Sequence, residues 1–270
     1  MVDSTIYQYQ LLLRVIMNIL YSNGDSFVFG MECLGDFNTE EHNKEYAFAK
    51  QLADHLNCNK YVNNAYNGAT NDFIFRNTIF DLLELEKTGV APSDVFVLIG
   101  WTALHRLEIS GENWYNKIPS WEENKHDLSW CDVVEFKDFG TLFVNPSCEV
   151  VMHTPHGTTH TTNDDILPFC IDYLWHDHLQ ISQQEARIIS LHEFLKSRGY
   201  RHLFVNTCDN YQFKKIDNLT PNYYNLENES FSSWALTHYK SEHRANNHFS
   251  PVPHTEYGKL LLDYVVKNKL

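Results

Sequence analysis

Hydrophobic positions along the chain alternate between short continuous runs and stripes at helical spacing. Ile19-Leu20-Tyr21 is a brief apolar run closed by Gly24-Asp25-Ser26, and such a run ended by a turn signal predicts a buried strand that stops at a sheet edge. A serine on that turn would face a crevice, free of helix or sheet pairing. Tyr46, Ala49, Leu52, Ala53 and Leu56 recur with helical period and predict a helix over about residues 42–57. Lys60 to Tyr66 predicts a second strand, ended by Asn67-Gly68. Thr70 or Asn71 then caps a helix whose apolar face (Phe73, Ile74, Ile79, Phe80, Leu83) runs to about Glu86, short of Gly89. Val95 to Ile99 is continuously apolar and predicts a central parallel strand, ended by Gly100-Trp101-Thr102. Strand, helix, strand, helix, strand is the order of a doubly wound parallel sheet. Right-handed crossovers would bring its strand ends to one edge.

The rhythm breaks over residues 103–163. Trp114, Trp121 and Trp130 lie among polar residues, and Val133–Phe136 and Thr141–Val144 resemble two short strands. We read an insertion at about residues 107–163, cap-like over the sheet edge. A helix is expected from Asp164-Asp165 to His178. Another, marked by Ile188, Leu191, Phe194 and Leu195, is ended by Gly199, and His202 to Asn206 is the next parallel strand. Residues 208–247 are polar and aromatic without strong periodicity. The last helix carries Tyr257, Leu260, Leu261, Tyr264 and Val265 and is entered through Pro251 and Pro253. The expected organisation is an extension over residues 1–16 and one α/β domain over 17–270. The apolar start (Leu11-Leu12-Leu13, Val15-Ile16) lacks a basic leader and a small-residue cleavage site, so it does not read as a signal peptide.

Composition narrows the chemistry. Hydrophobic residues make up 43% of the 270 residues, enough for a large core. The formal charge of −14 argues against a nucleic-acid partner, since the best basic cluster is Lys214-Lys215. No apolar run is long enough to span a membrane. Six scattered cysteines without a CxxC pair suggest reduced thiols in a reducing compartment.

The predicted strand ends deliver Ser26, Gly68 and Gly100-Trp101-Thr102 to one edge, where open α/β sheets bind ligands. His248 precedes the last helix in Asn246-Asn247-His248-Phe249-Ser250, and a loop histidine there can reach back to Ser26. A serine hydroxyl becomes a nucleophile when a base takes its proton, and histidine is suited to that work. The oxyanion then needs preorganised donors, such as the amide of Gly68 and a side chain near position 102.

Gly24-Asp25-Ser26-Phe27, Gly68, Gly100 and a histidine before the C-terminal helix resemble the sequence blocks of the SGNH (GDSL) hydrolase family. Asn64 to Asp72 with Arg76, and Ile99 to Arg106, are similar to SGNH-like proteins of tailed bacteriophages. The resemblance covers residues 18–106 and 246–266. It implies a three-layer flavodoxin-like fold and ester hydrolysis by Ser26 and His248, with no metal or other cofactor. The substrate would be a small acyl ester, O-acetyl groups on a glycan among them. Trp101 and Arg106 would contact it. A phage-encoded chain would work in the host cytoplasm or on the virion.

Two positions depart from the family pattern. Its third block carries Asn two residues after the glycine; here that residue is Thr102, with Asn71 as a substitute donor. Its last block carries Asp three residues before the histidine; here that residue is Ala245, and Asp209 is one carboxylate that would stand in. His254 is a rival base. The same site would serve an acyltransferase if an alcohol replaced water, and an inactive binding or structural protein would keep the fold. His153, His156 and His160 have spacing compatible with a metal, but the Thr, Pro and Gly around them read as a solvated loop. His176 and His178, two apart on a predicted helix, do not share a face.

Overall fold

The computed structural model describes residues 17–35, 41–104, 106–110, 139–144, 150–154, 157–161, 177–208, 213, 216, 219–224, 229–239, 243–245 and 248–270. The extension over 1–16, the strand expected at 133–136, the helix expected to end at His178 (all but its last two residues) and Asp209 lie outside the described residues.

Five strands form the central sheet: β1 (Ile19–Asn23), β2 (Lys60–Asn63), β3 (Val95–Trp101), β8 (Arg201–Asn206) and β9 (Tyr223–Tyr224). Their spatial order is β2-β1-β3-β8-β9, and every neighbouring pair is parallel. That is the flavodoxin-type doubly wound order, with the reversal of direction between β1 and β3. Each residue of β1 and β3 is buried, because helices cover both faces and no side of the strand meets water.

Period-two alternation sorts the core into two clusters. Leu20, Phe96, Leu98, Leu203 and Val205 point to one face. There they meet α2 (Phe48–His55), α5 (Phe231–His238) and α6 (Pro251–Asn268). Tyr21, Val95, Val97, Ile99 and Phe204 point to the other, against α3 (Asn71–Lys87) and α4 (Asp177–Arg198). The fold is therefore a three-layer α/β sandwich. Thr70 caps α3 by accepting from the Phe73 amide at 3.1 Å.

Between β3 and α4 the described strands make a separate antiparallel sheet: β4 (Arg106–Ser110), β5 (Phe139–Val144), β6 (Val150–Thr154) and β7 (Gly157–Thr161). Two expectations change here. His153 and His160 lie in β6 and β7, paired with Thr158 and Val151, rather than in a loop. Strand formation beats the loop-like composition because Val150, Val151, Thr158, Thr159 and Thr161 are β-branched residues that suit a pleated surface. The stretch expected to lack periodicity also contains α5, opened by a capping box between Ser230 and Ser233.

Candidate active site

Four strand ends meet at the carboxyl edge of the sheet. After β1 the chain makes one helical turn, α1 (Ser26–Phe29), with Asp25 as its N-cap accepting from the Phe27 amide at 3.0 Å. Ser26 is thus the first residue of a short helix rather than free of pairing; its carbonyl accepts from the amides of Gly30 and Met31. The glycine before it serves space. A Cβ on Gly24 would come within 2.4 Å of the Val28 side chain, and one on Gly100 within 2.3 Å of the same methyl. Val28 packs where the two strand ends converge, and only backbone fits beside it.

Beyond β2 the chain stays alongside β1. Asn64 donates to the Ser22 carbonyl at 2.9 Å and Tyr66 to the Gly24 carbonyl at 3.0 Å. This sets the Gly68 turn beside the Ser26 turn, and Gly68 takes φ +76°, the left-handed region that glycine tolerates. Asn71, at the start of α3, grips Thr102 at both ends of its amide. Its Nδ2 donates to the Thr102 carbonyl at 3.0 Å and its Oδ1 accepts from the Thr102 amide at 2.9 Å.

The Asp25 carboxylate ties these turns together. Its Oδ2 accepts from Thr102 Oγ1 at 2.8 Å and from Cys208 Sγ at 3.0 Å, and lies 2.8 Å from Thr207 Oγ1. The Arg106 guanidinium lies 3.7 Å away. Several donors and a nearby cation offset the cost of burying this charge.

The expected roles of three residues change accordingly. Thr102 has one hydroxyl proton, and Asp25 takes it, so that hydroxyl is not aimed at an oxyanion. Trp101 is 1% exposed and packs edge-on against Phe204 at 5.7 Å, so it offers almost no surface for contact with a substrate. Arg106 Nη1 donates to the Ala69 carbonyl at 3.2 Å while it flanks Asp25. It braces the Gly68 turn.

His248 reaches this edge from the strand pair β10 (Arg244–Ala245) and β11 (His248–Phe249), just ahead of α6. Its ring lies 5.1 Å from that of Phe27, the residue after Ser26. Its Nδ1 lies 2.7 Å from Glu32 Oε2. A carboxylate accepts only, so Nδ1 carries a proton, and in the neutral ring Nε2 is the bare nitrogen. Ala245, at the position where the resemblance expects an acid, is instead the strand partner of His248. The carboxylate beside His248 is that of Glu32, which no sequence signal marks. Ser26 is 3% exposed, and among the described residues no hydrogen bond joins its hydroxyl to His248.

His254 is committed elsewhere. Helix α2 starts after Ala47, which offers no side-chain cap. The imidazole of His254 supplies one from 206 positions away, its Nδ1 accepting from the Phe48 amide at 3.2 Å. It stacks on Phe48 and is fully buried. Burial, and then the nearby His248, push its pKa down to about 3. Its one lone-pair nitrogen is spent on the backbone, so it does not act as the base.

Residues 31–145 match a family of unknown function (DUF6071). No curated protein matches the chain. Two solved structures are similar over most of it. One is a carbohydrate esterase described as showing divergent catalytic and non-catalytic binding functions, 12% identical with TM-score 0.40, covering 94% of this chain and 70% of its own. The other is the psychrotrophic esterase EstA from Pseudoalteromonas sp., inhibited by monoethylphosphonate. It is 12% identical with TM-score 0.41, covering 93% of this chain and 96% of its own. At that distance neither carries chemistry across, and the site must be read from its own geometry.

Proposed function

We propose that this chain is a serine esterase of SGNH type that hydrolyses small acyl esters, O-acetyl groups on a glycan among them. One observation carries the proposal: His248 packs against the ring of Phe27, the residue after Ser26, with Nδ1 engaged by Glu32 at 2.7 Å. That leaves Nε2 as the available base. Ser26 Oγ attacks the ester carbonyl and gives its proton to Nε2. The oxyanion is held by the Gly68 amide and by the second Nδ2 proton of Asn71, whose first is spent on Thr102. His248 returns the proton to the leaving alcohol, and water then repeats the sequence on the acyl-serine. An alcohol in place of water would make the same site an acyltransferase. The hydroxyl–imidazole bond is formed as substrate seats, as is common for sites that are loose without ligand. The likeness to tailed-phage proteins rests on the residue blocks alone.

The test is p-nitrophenyl acetate turnover by wild type and Ser26→Ala, with fluorophosphonate labelling and identification of the modified residue. Equal turnover by both proteins, or label elsewhere than Ser26, removes the proposal. A second reading, a binding or structural protein that keeps the fold with a silent site, is favoured by the low exposure of Ser26 and its unmade bond to His248. It predicts no label at all.

A further inference from the structure

Glu32 is an odd residue for its place. It is 3% exposed, and its backbone takes φ +59°, a left-handed conformation that costs a residue with a Cβ about 1 kcal/mol or more. Its own carbonyl closes the following turn by accepting from the Gly35 amide at 3.0 Å. A glycine would relieve the strain, and a buried carboxylate adds a desolvation cost. The chain accepts both, and the carboxylate ends 2.7 Å from His248 Nδ1, 216 positions away. Strain of this kind concentrates where the surroundings force a side chain into one position.

We propose that Glu32 is the positioning acid of a Ser26–His248–Glu32 triad, taking the place of a carboxylate ahead of the histidine. This rests on the reading of Ser26 and His248 as nucleophile and base. Glu32 touches no reacting atom. It holds the Nδ1–H tautomer, so that Nε2 is bare before the attack, and it stabilises the imidazolium once Nε2 has taken the serine proton. It remains ionised throughout, because the proton on Nδ1 never leaves that nitrogen. Among the described residues, the groups shown against His248 are Glu32 itself, the Phe27 ring and the neutral His254. Of these described groups Glu32 is the anion.

The experiment uses the full chain, labelled with 15N, in four forms: wild type, Glu32→Gln, Glu32→Asp and Ser26→Ala. The His248 ring signals are identified as those lost in His248→Gln. Two quantities are read: the His248 tautomer from its ring nitrogen shifts, and the rate of labelling by a fluorophosphonate. In that labelling the Oγ–P bond forms, the P–F bond breaks, the serine proton passes to His248 and fluoride leaves.

Wild type is expected to hold the Nδ1–H form alone. Glu32→Gln offers His248 a donor and an acceptor equally, so the tautomers mix and labelling slows on the order of 10³-fold or more. In turnover of p-nitrophenyl acetate the loss falls on kcat, with KM little changed. Glu32→Asp keeps the Nδ1–H form and recovers part of the rate. An unchanged labelling rate in Glu32→Gln overturns the proposal, and so does a folded Glu32→Asp that has neither the tautomer nor the rate. If wild type does not label, yet Glu32→Gln and not Ser26→Ala loses the tautomer, the nucleophile assignment falls and the Glu32–His248 pairing stands. If wild type does not label and Glu32→Gln keeps the tautomer, both fall.

Discussion

Asp25 and Glu32 stand just before and just after the one helical turn that carries Ser26, and both carboxylates are buried. Asp25 is surrounded by the Thr102, Thr207 and Cys208 donors, from strand ends on its own sheet, and by the Arg106 guanidinium, from the start of β4. Glu32 faces an imidazole delivered from the far end of the chain. One carboxylate is a knot that fastens four turns together. The other is a lever on a single ring. The lesson is that proximity to the serine does not assign a role; what the carboxylate meets does. A group fully occupied by fixed donors has no proton chemistry to offer, whereas one set against a titratable ring controls which nitrogen is bare.

The largest expected effect concerns the residue between them. Ser26→Ala should lower ester turnover on the order of 10⁶-fold, while its thermal midpoint stays that of wild type. Next comes the contrast between the two acids. Asp25→Asn should cost about 3–5 kcal/mol of unfolding free energy, because it leaves Arg106 and three donors around a neutral group. Chemical denaturation measures this, and a loss under about 1 kcal/mol would dissolve the distinction. Glu32→Gln should lose rate before it loses fold.

Buried histidines outside that pairing weaken the fold toward acid pH, His254 and His202 most strongly. Burial, and then the nearby His248, push His254 down to about 3. Burial likewise pushes His202 down to about 4. His202 Nδ1 lies 3.2 Å from the Tyr200 carbonyl, so its Nε2 is bare and accepts from His192 Nδ1 at 2.9 Å. Both folded values lie below the unfolded value, so the unfolded chain binds protons first as pH falls. Stability from these groups is complete above about pH 6.5 and drains away below it, at about 1.4 kcal/mol per pH unit for each. Between pH 6 and 5 the pair should remove about 2–3 kcal/mol. Denaturation midpoints at the two pH values check this, and His202→Gln should remove about half of the slope. The smallest effect belongs to Thr207→Val, which takes one hydroxyl from the Asp25 knot and should cost about 1–2 kcal/mol.

Much of the architecture was legible from period and punctuation. Strands β1 and β3 are buried on both faces, so their apolar runs were continuous and bounded by turn residues. The last helix kept its stripe from Tyr257 to Val265 because it packs on one face only. Helix α5 escaped because its eight residues, FSSWALTH, mix serine and threonine with the aromatics that bury it, and its packing is decided by partners far away. The hairpin at His153 and His160 escaped because Pro and Gly near its turn outweighed the β-branched residues beside them.

For the site, the chain alone determined the Gly-Asp-Ser turn at the end of a buried strand, the second turn at Gly68, and a histidine entering the final helix, since each is a local signal. The tertiary structure decided which of two nearby histidines is spent on a helix end, which donor Asp25 consumes, and that the acid behind His248 is Glu32. Those are matters of what lies opposite a side chain across hundreds of positions. No local pattern encodes them, because a hydrogen bond depends on distance and direction in space and is indifferent to separation along the chain.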